Sequence, residues 1–125
     1  MGKVNNYFFD TYAFFELIGG NKNYGKYEKG AGIVTTKMNL MELHYGLLRS
    51  HGKPVADAYY YRFRQYCIEA DDYSIIKANE FRLANKGLEM SYVDCLGYSM
   101  AKSKNVKFLT GDNAFRGFEN VEFVK

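Results

Sequence analysis

Residues 91–115, SYVDCLGYSMAKSKNVKFLTGDNAF, decide the fold of this chain. The first half of this stretch has apolar residues at helical spacing, and Asp94 opens that run. Residues 104–105 interrupt the helix, and residues 106–109 are then predicted to form a short buried strand that ends just before Asp112. Ligands of open α/β sheets bind beyond the carboxyl ends of the strands, so an acid in this position is a candidate site residue.

A second acid occupies the same kind of position near the start of the chain. Residues 4–9 are predicted to form a buried strand because they are rich in aromatic residues, and Asp10 follows directly. A helix is expected over residues 12–18, ended by the two glycines that follow it. The polar residues 21–32 are compatible with either a short helix or a loop.

A third acid, Glu42, lies inside a predicted helix. The β-branched residues 33–36 indicate a strand that leads into a helix over residues 37–50. That helix is predicted to bury one apolar stripe, made of Met38, Met41, Tyr45 and Leu48. Glu42 falls within the stripe, where its carboxyl group must be protonated, paired with a base such as Arg62 or Arg64, or bound to a cation.

The remaining sequence continues the alternation of strands and helices. The predicted elements are a helix over residues 55–67, a third strand over residues 68–70, a helix capped by Ser74 that runs to about residue 86, and an edge strand over residues 121–124. This order predicts an α/β fold of three layers, α/β/α, with a central, mostly parallel sheet of about 4–5 strands.

Composition limits the class of protein. The chain has 125 residues, 47% of them hydrophobic, and a single proline, which favours one compact domain over residues 1–125. The formal net charge is +3, a mild basicity that is compatible with a polyanionic partner. Neither a signal peptide nor a membrane span is recognisable, so we expect a soluble, cytoplasmic protein without membrane contact.

The cysteines and histidines do not indicate a metal site. Cys67 and Cys95 stand alone without zinc-like spacing and are expected to be reduced, buried thiols rather than a disulfide. His44 and His51 share one predicted helix, and we expect them to be ordinary, partly exposed histidines rather than a pair of metal ligands.

The acids raise a question of charge. Asp10, Glu42, Asp94 and Asp112 would repel one another if the fold brought them together, and a divalent cation would resolve that conflict. Mg²⁺ and Mn²⁺ prefer oxygen ligands, bind phosphates and activate water for attack on phosphorus. The simpler alternative is that Asp10 and Asp112 cap helices, and that Asp94 completes a capping box with Ser91.

This conjunction of acids resembles the PIN-domain family and, within it, the VapC-like toxins of toxin-antitoxin pairs. The resemblance covers nearly the whole chain and rests on four short motifs in family order: residues 7–11, YFFDT; residues 41–43, MEL; residues 93–96, VDCL; and residues 109–112, LTGD. The resemblance implies a three-layer PIN-like fold, Mg²⁺- or Mn²⁺-dependent endoribonuclease activity on RNA, a homodimer, and a VapB-like antitoxin as partner.

The same resemblance assigns roles to residues. It implies that the metal-binding and catalytic acids are Asp10, Glu42, Asp94 and Asp112, and that Thr11 and Thr110 are hydroxyl partners that support the pocket. Asp10 and Asp94 would be direct ligands, with Glu42 and Asp112 orienting waters. Many relatives carry a further acid where this chain has Ala114, and this departure favours one metal ion over two. Phe14, Phe15 and Leu17 would help form the antitoxin groove.

Two other functions remain open from the sequence. A PIN-like domain without the acid at Ala114 could serve as a catalytically weak RNA-binding or protein-assembly module. An acidic metal site could also serve a phosphatase or a DNA nuclease, because it does not itself select the 2′-hydroxyl. Two basic groups are candidates for contacts with RNA phosphates, although a solvated surface is the default expectation for both: Lys77, Arg82 and Lys86, and Lys102, Lys104 and Lys107.

Overall fold

The structure is a computed structural model that describes residues 5–125, apart from the side chains of residues 5, 30 and 31. Val4, the first residue of the predicted first strand, lies outside the described residues. The helices and strands follow one another in the order β1 (Asn5–Phe9), α1 (Thr11–Ile18), α2 (Gly25–Gly30), β2 (Ala31–Val34), α3 (Lys37–His51), α4 (Lys53–Phe63), α5 (Asp72–Ala84), α6 (Tyr92–Ser103), β3 (Lys107–Thr110) and β4 (Val121–Phe123). Short 3-10 turns occupy Arg64–Tyr66, Lys86–Leu88 and Asn113–Phe115.

The described strands form one parallel sheet in the order β2-β1-β3-β4. Phe8 at the centre of the sheet pairs with Val34 of β2 and Phe108 of β3. Because the strands are parallel, Asp10 after β1 and Asp112 after β3 lie on the same side of the sheet, at the carboxyl ends of the strands. We call this side the carboxyl edge. The backbone N–H of Asp10 donates to the carbonyl of Leu109 at 3.1 Å, which extends the pairing to that edge.

Helices cover both faces of the sheet. Successive residues of a strand point to opposite faces, so Phe9 packs with α1, α3 and α4 whereas Phe8 packs with α5 and α6. Both phenylalanines are fully buried. The predicted three-layer α/β/α fold with its parallel sheet is therefore confirmed.

The predicted burial of α3 is wrong. Met38, Met41, Tyr45 and Leu48 are 39–63% exposed, and the helix instead buries Leu40, Leu43 and Leu47. Both sets recur at helical spacing, so periodicity alone could not choose between them. Glu42 consequently lies between an exposed apolar stripe and the core rather than within a buried stripe.

The predicted strand over residues 68–70 is also wrong. Residues 66–68 contact the sheet only through an isolated bridge between Thr35 and Cys67. There the N–H of Ile68 donates to the carbonyl of Thr35 at 2.8 Å. Glu69 and Ala70 are exposed, and the chain leaves the sheet there because Asp71 caps the next helix, which begins at Asp72.

The cap of α5 is Asp71 rather than the predicted Ser74. The Asp71 carboxylate accepts the backbone N–H of Ser74 at 3.2 Å and its hydroxyl at 2.7 Å. Ser74 is therefore buried in the first helical turn, where its hydroxyl serves the cap instead of forming it. The helix ends at Ala84, slightly before the predicted end.

Two further expectations are corrected or refined by the packing. Phe14, expected to help form a partner groove, is fully buried between Phe9 and Phe63, with ring centroids 5.2 and 4.7 Å away. The helix predicted over residues 55–67 begins at Lys53 and ends at Phe63.

Among residues 5–125, no helix combines the length and the apolar character needed to cross a bilayer.

Gly97 on α6 is a sensitive point of the core. A β-carbon there would come within 2.8 Å of Phe8 and 3.1 Å of Phe108. Alanine favours a helix over glycine by about 1 kcal/mol, but overpacking a filled core costs about 1–3 kcal/mol. We therefore expect Gly97→Ala to lower the melting temperature, measured by circular dichroism. Gly87→Ala, whose β-carbon would meet nothing within 4 Å, is the control. Equal melting temperatures for the two variants would contradict this account of the packing.

Candidate active site

Asp10 is the most buried acid at the carboxyl edge of the sheet. It caps α1, its side chain is 2% exposed, and Oδ1 accepts the backbone N–H of Thr11 at 2.9 Å. Oδ2 accepts the hydroxyl of Thr110 at 2.8 Å. Burial and then the charge of Asp94 raise the pKa of Asp10 to about 8, although both hydrogen bonds act in the opposite direction.

Thr110 links two of the acids. It is the last residue of β3, and its Oγ1 accepts the backbone N–H of Asp112 at 3.1 Å while donating its proton to Asp10. A backbone N–H cannot accept, so the Thr110 hydroxyl proton is left for Asp10, which accepts it when its carboxyl group is ionised.

Glu42 meets the site through the start of α1. The Thr11 hydroxyl donates to Oε1 of Glu42 at 2.8 Å, across 31 residues of sequence. Glu42 is half-buried, and burial, together with a smaller effect of the Asp94 charge, raises the pKa of its carboxyl group. The arginines considered as partners lie elsewhere, because Arg62 pairs with Glu28 and Arg64 stacks over the ring of Tyr61 at 5.3 Å.

Asp94 and Asp112 both act as local caps. Asp94 completes the predicted capping box, in which Ser91 Oγ accepts the N–H of Asp94 and Asp94 Oδ2 accepts the N–H of Ser91, both at 3.0 Å. Asp112 accepts the N–H of Ala114 at 3.0 Å. Burial raises the pKa of Asp94 in spite of these hydrogen bonds, and the charge of Asp112 adds to the effect.

The acids influence one another through this pocket. The charge of Asp94 raises the pKa of Asp10 and of Glu42, and the charge of Asp112 raises the pKa of Asp10 and of Asp94. Within residues 5–125, however, no three carboxylate, imidazole or thiol groups are gathered closely enough to form a ready metal cage. The acids therefore share an electrostatic environment, although no three of them meet at one point in this part of the chain.

The donor set fits a hard divalent cation. All the donors are carboxylate or hydroxyl oxygens, the ligand type that Mg²⁺ and Mn²⁺ prefer. None of the acids Asp10, Glu42, Asp94 and Asp112 forms an ion pair with a side chain in the described part of the protein. A buried carboxylate among like charges is costly to ionise, and a cation removes that cost.

The histidines and cysteines lie outside this site. His44 Nε2 lies 2.7 Å from Oδ1 of Asp57, and His51 contacts the hydroxyl of Ser50 at 2.7 Å, so the two imidazoles have separate partners. Cys67 and Cys95 are both free thiols; Cys95 is buried as expected, whereas Cys67 is only partly buried.

Sequence reasoning missed Asn39. This residue of α3 is fully buried, its Nδ2 donates to Thr11 Oγ1 at 3.1 Å, and its Oδ1 accepts the Thr36 hydroxyl at 2.7 Å. The available signal was the spacing, because Thr36, Asn39 and Glu42 recur every three residues and so lie along one side of the helix.

Comparison with known proteins decides the family. The family model of the PIN domain matches residues 7–121. The chain belongs to the PIN-domain family. The predicted family is thus confirmed, and the acid pocket lies at the carboxyl edge of the sheet of this PIN domain. A search of curated protein sequences found no match.

Solved structures resemble this PIN domain over almost their whole length. The sarcin-ricin-loop-cleaving toxin VapC20 of Mycobacterium tuberculosis is 21% identical with a TM-score of 0.73, covering 92% of this chain and 98% of that one. VapBC2 of Rickettsia felis, bound to a promoter DNA fragment, is 23% identical with a TM-score of 0.71, covering 95% and 97%. DNA-bound VapBC of Salmonella typhimurium is 19% identical with a TM-score of 0.73, covering 97% and 98%. At these identities the likeness establishes a shared fold.

Proposed function

We propose that this PIN domain is a metal-dependent endoribonuclease of the VapC type that hydrolyses RNA phosphodiester bonds at the pocket of Asp10, Glu42, Asp94 and Asp112. The main support for this proposal is the environment of Asp10. Its carboxyl group is fully buried beside other acids, its pKa is raised to about 8, and no cationic side chain among the described residues compensates it. Perturbed acids of this kind are typical of functional sites.

The residues divide the work of the reaction. When bound, Mg²⁺ or Mn²⁺ neutralises charge on the phosphodiester and makes water a better nucleophile. Asp10 and Asp94 would hold the cation, and Asp112 would orient its surroundings. Oε1 of Glu42 is occupied by Thr11, which leaves Oε2 to orient the attacking water and to take its proton. The alanine at position 114 favours a single cation.

Cleavage assays test this function directly. A folded RNA and a DNA strand of the same sequence are incubated with the protein and Mn²⁺, with and without excess EDTA, beside the Asp94→Asn variant. We expect cleavage of RNA that is lost with EDTA and in the variant. RNA cleavage that survives both changes would end the proposal, and cleavage of the DNA alone would assign the site to a DNA nuclease.

The missing acid at position 114 favours one rival function, an RNA-binding module without efficient chemistry. The two functions differ in how RNA binding responds to the acids. A binding module would hold RNA equally well after Asp94→Asn, and the wild-type protein would not cleave RNA in Mn²⁺. The nuclease would cleave RNA in Mn²⁺ and would lose that cleavage in the variant or in EDTA.

A cationic rim beside the acids supports RNA as the substrate. We use the name cationic rim for Arg116 and Lys125 with the rings beneath them. Arg116 Cζ lies 4.4 Å from the ring centroid of Phe123, and Lys125 Nζ lies 5.9 Å from Phe123 and 5.8 Å from Tyr12. Within residues 5–125 neither cation has an acidic partner within ion-pair distance, so both are available to phosphates.

The rim adjoins the acid pocket, whereas among the basic residues suggested by the sequence only Arg82 is placed near one of the acids, because its Nε donates to the carbonyl of Met90 at 3.0 Å and its guanidinium group stacks over the ring of Tyr92 at 4.0 Å. The backbone of Gly111, next to Asp112, packs closely against the ring of Tyr12 and the carbonyl of Val124, because a β-carbon on Gly111 would come within 2.5 Å of Tyr12 and 2.3 Å of Val124 O. In the groups suggested by the sequence, Lys77 pairs with Glu80 at 3.2 Å and Lys102 pairs with Glu119 at 2.8 Å. Lys104 precedes β3 and Lys107 is its first residue, so both lie at the amino end of that strand, opposite the acids.

We expect Arg116→Gln to weaken RNA binding and to reduce the slope of log K against log salt concentration by about 1, the value for one phosphate contact. Fluorescence anisotropy with labelled RNA at several salt concentrations measures this slope. Lys104→Gln, the same loss of one exposed cation at the far edge, should leave the slope unchanged. Equal slopes for both variants and the wild type would remove the rim from the RNA-binding surface.

We also propose a homodimer and an antitoxin partner. The exposed stripe of Met38, Met41, Tyr45 and Leu48 on α3 is a large apolar surface, and such surfaces mark protein contacts. A second copy of the chain would cover it, and sedimentation equilibrium of the pure protein tests the dimer. Similar structures are VapBC complexes, which supports a VapB-like antitoxin for this chain.

A further inference from the structure

The orientation of the Asn39 side chain is fixed by its neighbours. Thr36 Oγ1 accepts the backbone N–H of Asn39 at 3.2 Å and donates its own proton to Asn39 Oδ1 at 2.7 Å. This turns Nδ2 toward Thr11. The opposite orientation would leave the Thr36 proton without an acceptor and would draw the Thr11 proton away from Glu42.

The direction of the next hydrogen bond follows from this orientation. An amide nitrogen carries donors only, so Thr11 Oγ1 must accept from Asn39 at 3.1 Å. Its single proton is then committed to Oε1 of Glu42, 2.8 Å away. The Thr110 hydroxyl likewise accepts the backbone N–H of Asp112 and donates to Asp10 when that acid is ionised. Each threonine hydroxyl thus accepts from a group that can only donate, which leaves its own proton for the acid.

Burial makes the chain of contacts hard to replace. Asn39 is 0% exposed, Thr36 2% and Thr11 8%, so solvent cannot supply another donor to Thr11. In the series of hydrogen bonds from Thr36 through Asn39 and Thr11, Glu42 is the first group that is only half-buried and faces the pocket. Any change in the direction of the Thr11 proton is therefore felt at Glu42.

We propose that Asn39 is a positioning residue of the nuclease site, acting through the Thr11 hydroxyl to fix Oε1 of Glu42 and so to direct Oε2 toward the pocket. This assignment rests on the proposed function. Asn39 does not touch the substrate in this account, and its effect passes entirely through Thr11. Partners that orient the groups around a metal site commonly change metal affinity or activity by about 10–100-fold, and Glu42, which would orient the waters around the cation, is such a group.

The test uses Asn39→Asp, which keeps the shape of the side chain but replaces its donor by an acceptor. We expect Mn²⁺ to bind about 10-fold more weakly by isothermal titration calorimetry, and kcat for RNA cleavage to fall while KM stays constant. Asn39→Leu removes the donor without a buried charge and serves if the aspartate prevents folding. Asn79→Asp, the same chemical change at an exposed position of α5, should leave both quantities at their wild-type values.

A double-mutant cycle separates positioning from a structural role. If Asn39 acts through Thr11, Asn39→Asp will not weaken Mn²⁺ binding further in a Thr11→Val background. The single variant Thr11→Ser, which keeps the hydroxyl, will bind Mn²⁺ with wild-type affinity. Additive effects, or wild-type Mn²⁺ affinity in folded Asn39→Asp and Asn39→Leu, would overturn the proposal. A wild-type protein that neither binds Mn²⁺ nor cleaves RNA would instead overturn the proposed function itself.

Discussion

Asp10→Asn is expected to lower kcat/KM for RNA cleavage by at least about 100-fold while leaving the protein folded. A bound cation supplies several kcal/mol of transition-state stabilisation, and each 1.4 kcal/mol corresponds to about tenfold in rate. Asparagine caps a helix as well as aspartate does, so the start of α1 should persist. Initial rates of cleavage in Mn²⁺, together with circular dichroism, measure both effects.

The chain offers a matched control for that substitution. Asp71 also caps a helix, α5, but it is exposed, and its hydrogen bonds with Ser74 lower its pKa. Asp71→Asn should therefore retain the wild-type cleavage rate. Loss of activity in both variants would mean that capping, and not the charge of Asp10, supports the reaction.

The second large effect is a pH-dependent stability that a cation reverses. The pKa of Asp10 in the folded protein is about 8, far above its ordinary value of 3.8. The folded protein therefore holds a proton that the unfolded chain has released, and stability falls as pH rises from about 4 toward 8. Burial raises the pKa values of Glu42 and Asp94 and thus acts in the same direction.

Mn²⁺ should compensate this loss at high pH. At 100 times its dissociation constant, a ligand stabilises the folded state by about 2.7 kcal/mol, or roughly 10 °C in melting temperature for a domain of this size. We expect a rise of that order at pH 8 and little rise at pH 5, where Asp10 holds its proton. Differential scanning calorimetry at both pH values, with and without Mn²⁺, measures the difference.

Asp10→Asn separates this effect from general metal binding. The variant has no titrating group at the buried position, so its metal-free melting temperature should fall less between pH 5 and pH 8. It should also lose most of the stabilisation by Mn²⁺ at pH 8. A wild-type protein whose melting temperature rises with pH and ignores Mn²⁺ would contradict the assigned role of Asp10.

The layer order and the edge that carries the acids were predictable from the sequence. The strand before Asp10 and the strand before Asp112 are short apolar runs bounded by polar residues, and parallel pairing puts their ends together. The capping box of Ser91 and Asp94 was also readable, because it depends only on residues three apart. Local patterns succeeded where the deciding interactions are local.

Long-range packing decided the features that were missed. Helix α3 has two apolar stripes, and only contact with α1 and α4 buries Leu43 and exposes Met41. The segment at Glu69 has strand-like neighbours, but the N-cap of α5 follows two residues later, at Asp71. Asn39 has an ordinary place in a helix, and its partner Thr11 is 28 residues away, so no local pattern could connect them.

A crystal grown in Mn²⁺ and measured at the manganese absorption edge would locate the cation in the pocket. We expect one anomalous peak within bonding distance of carboxylate oxygens of Asp10 and Asp94, with Glu42 still accepting the Thr11 hydroxyl. A peak elsewhere on the protein, or a pocket in which Asp10 keeps only its contacts with Thr11 and Thr110 at saturating Mn²⁺, would contradict it.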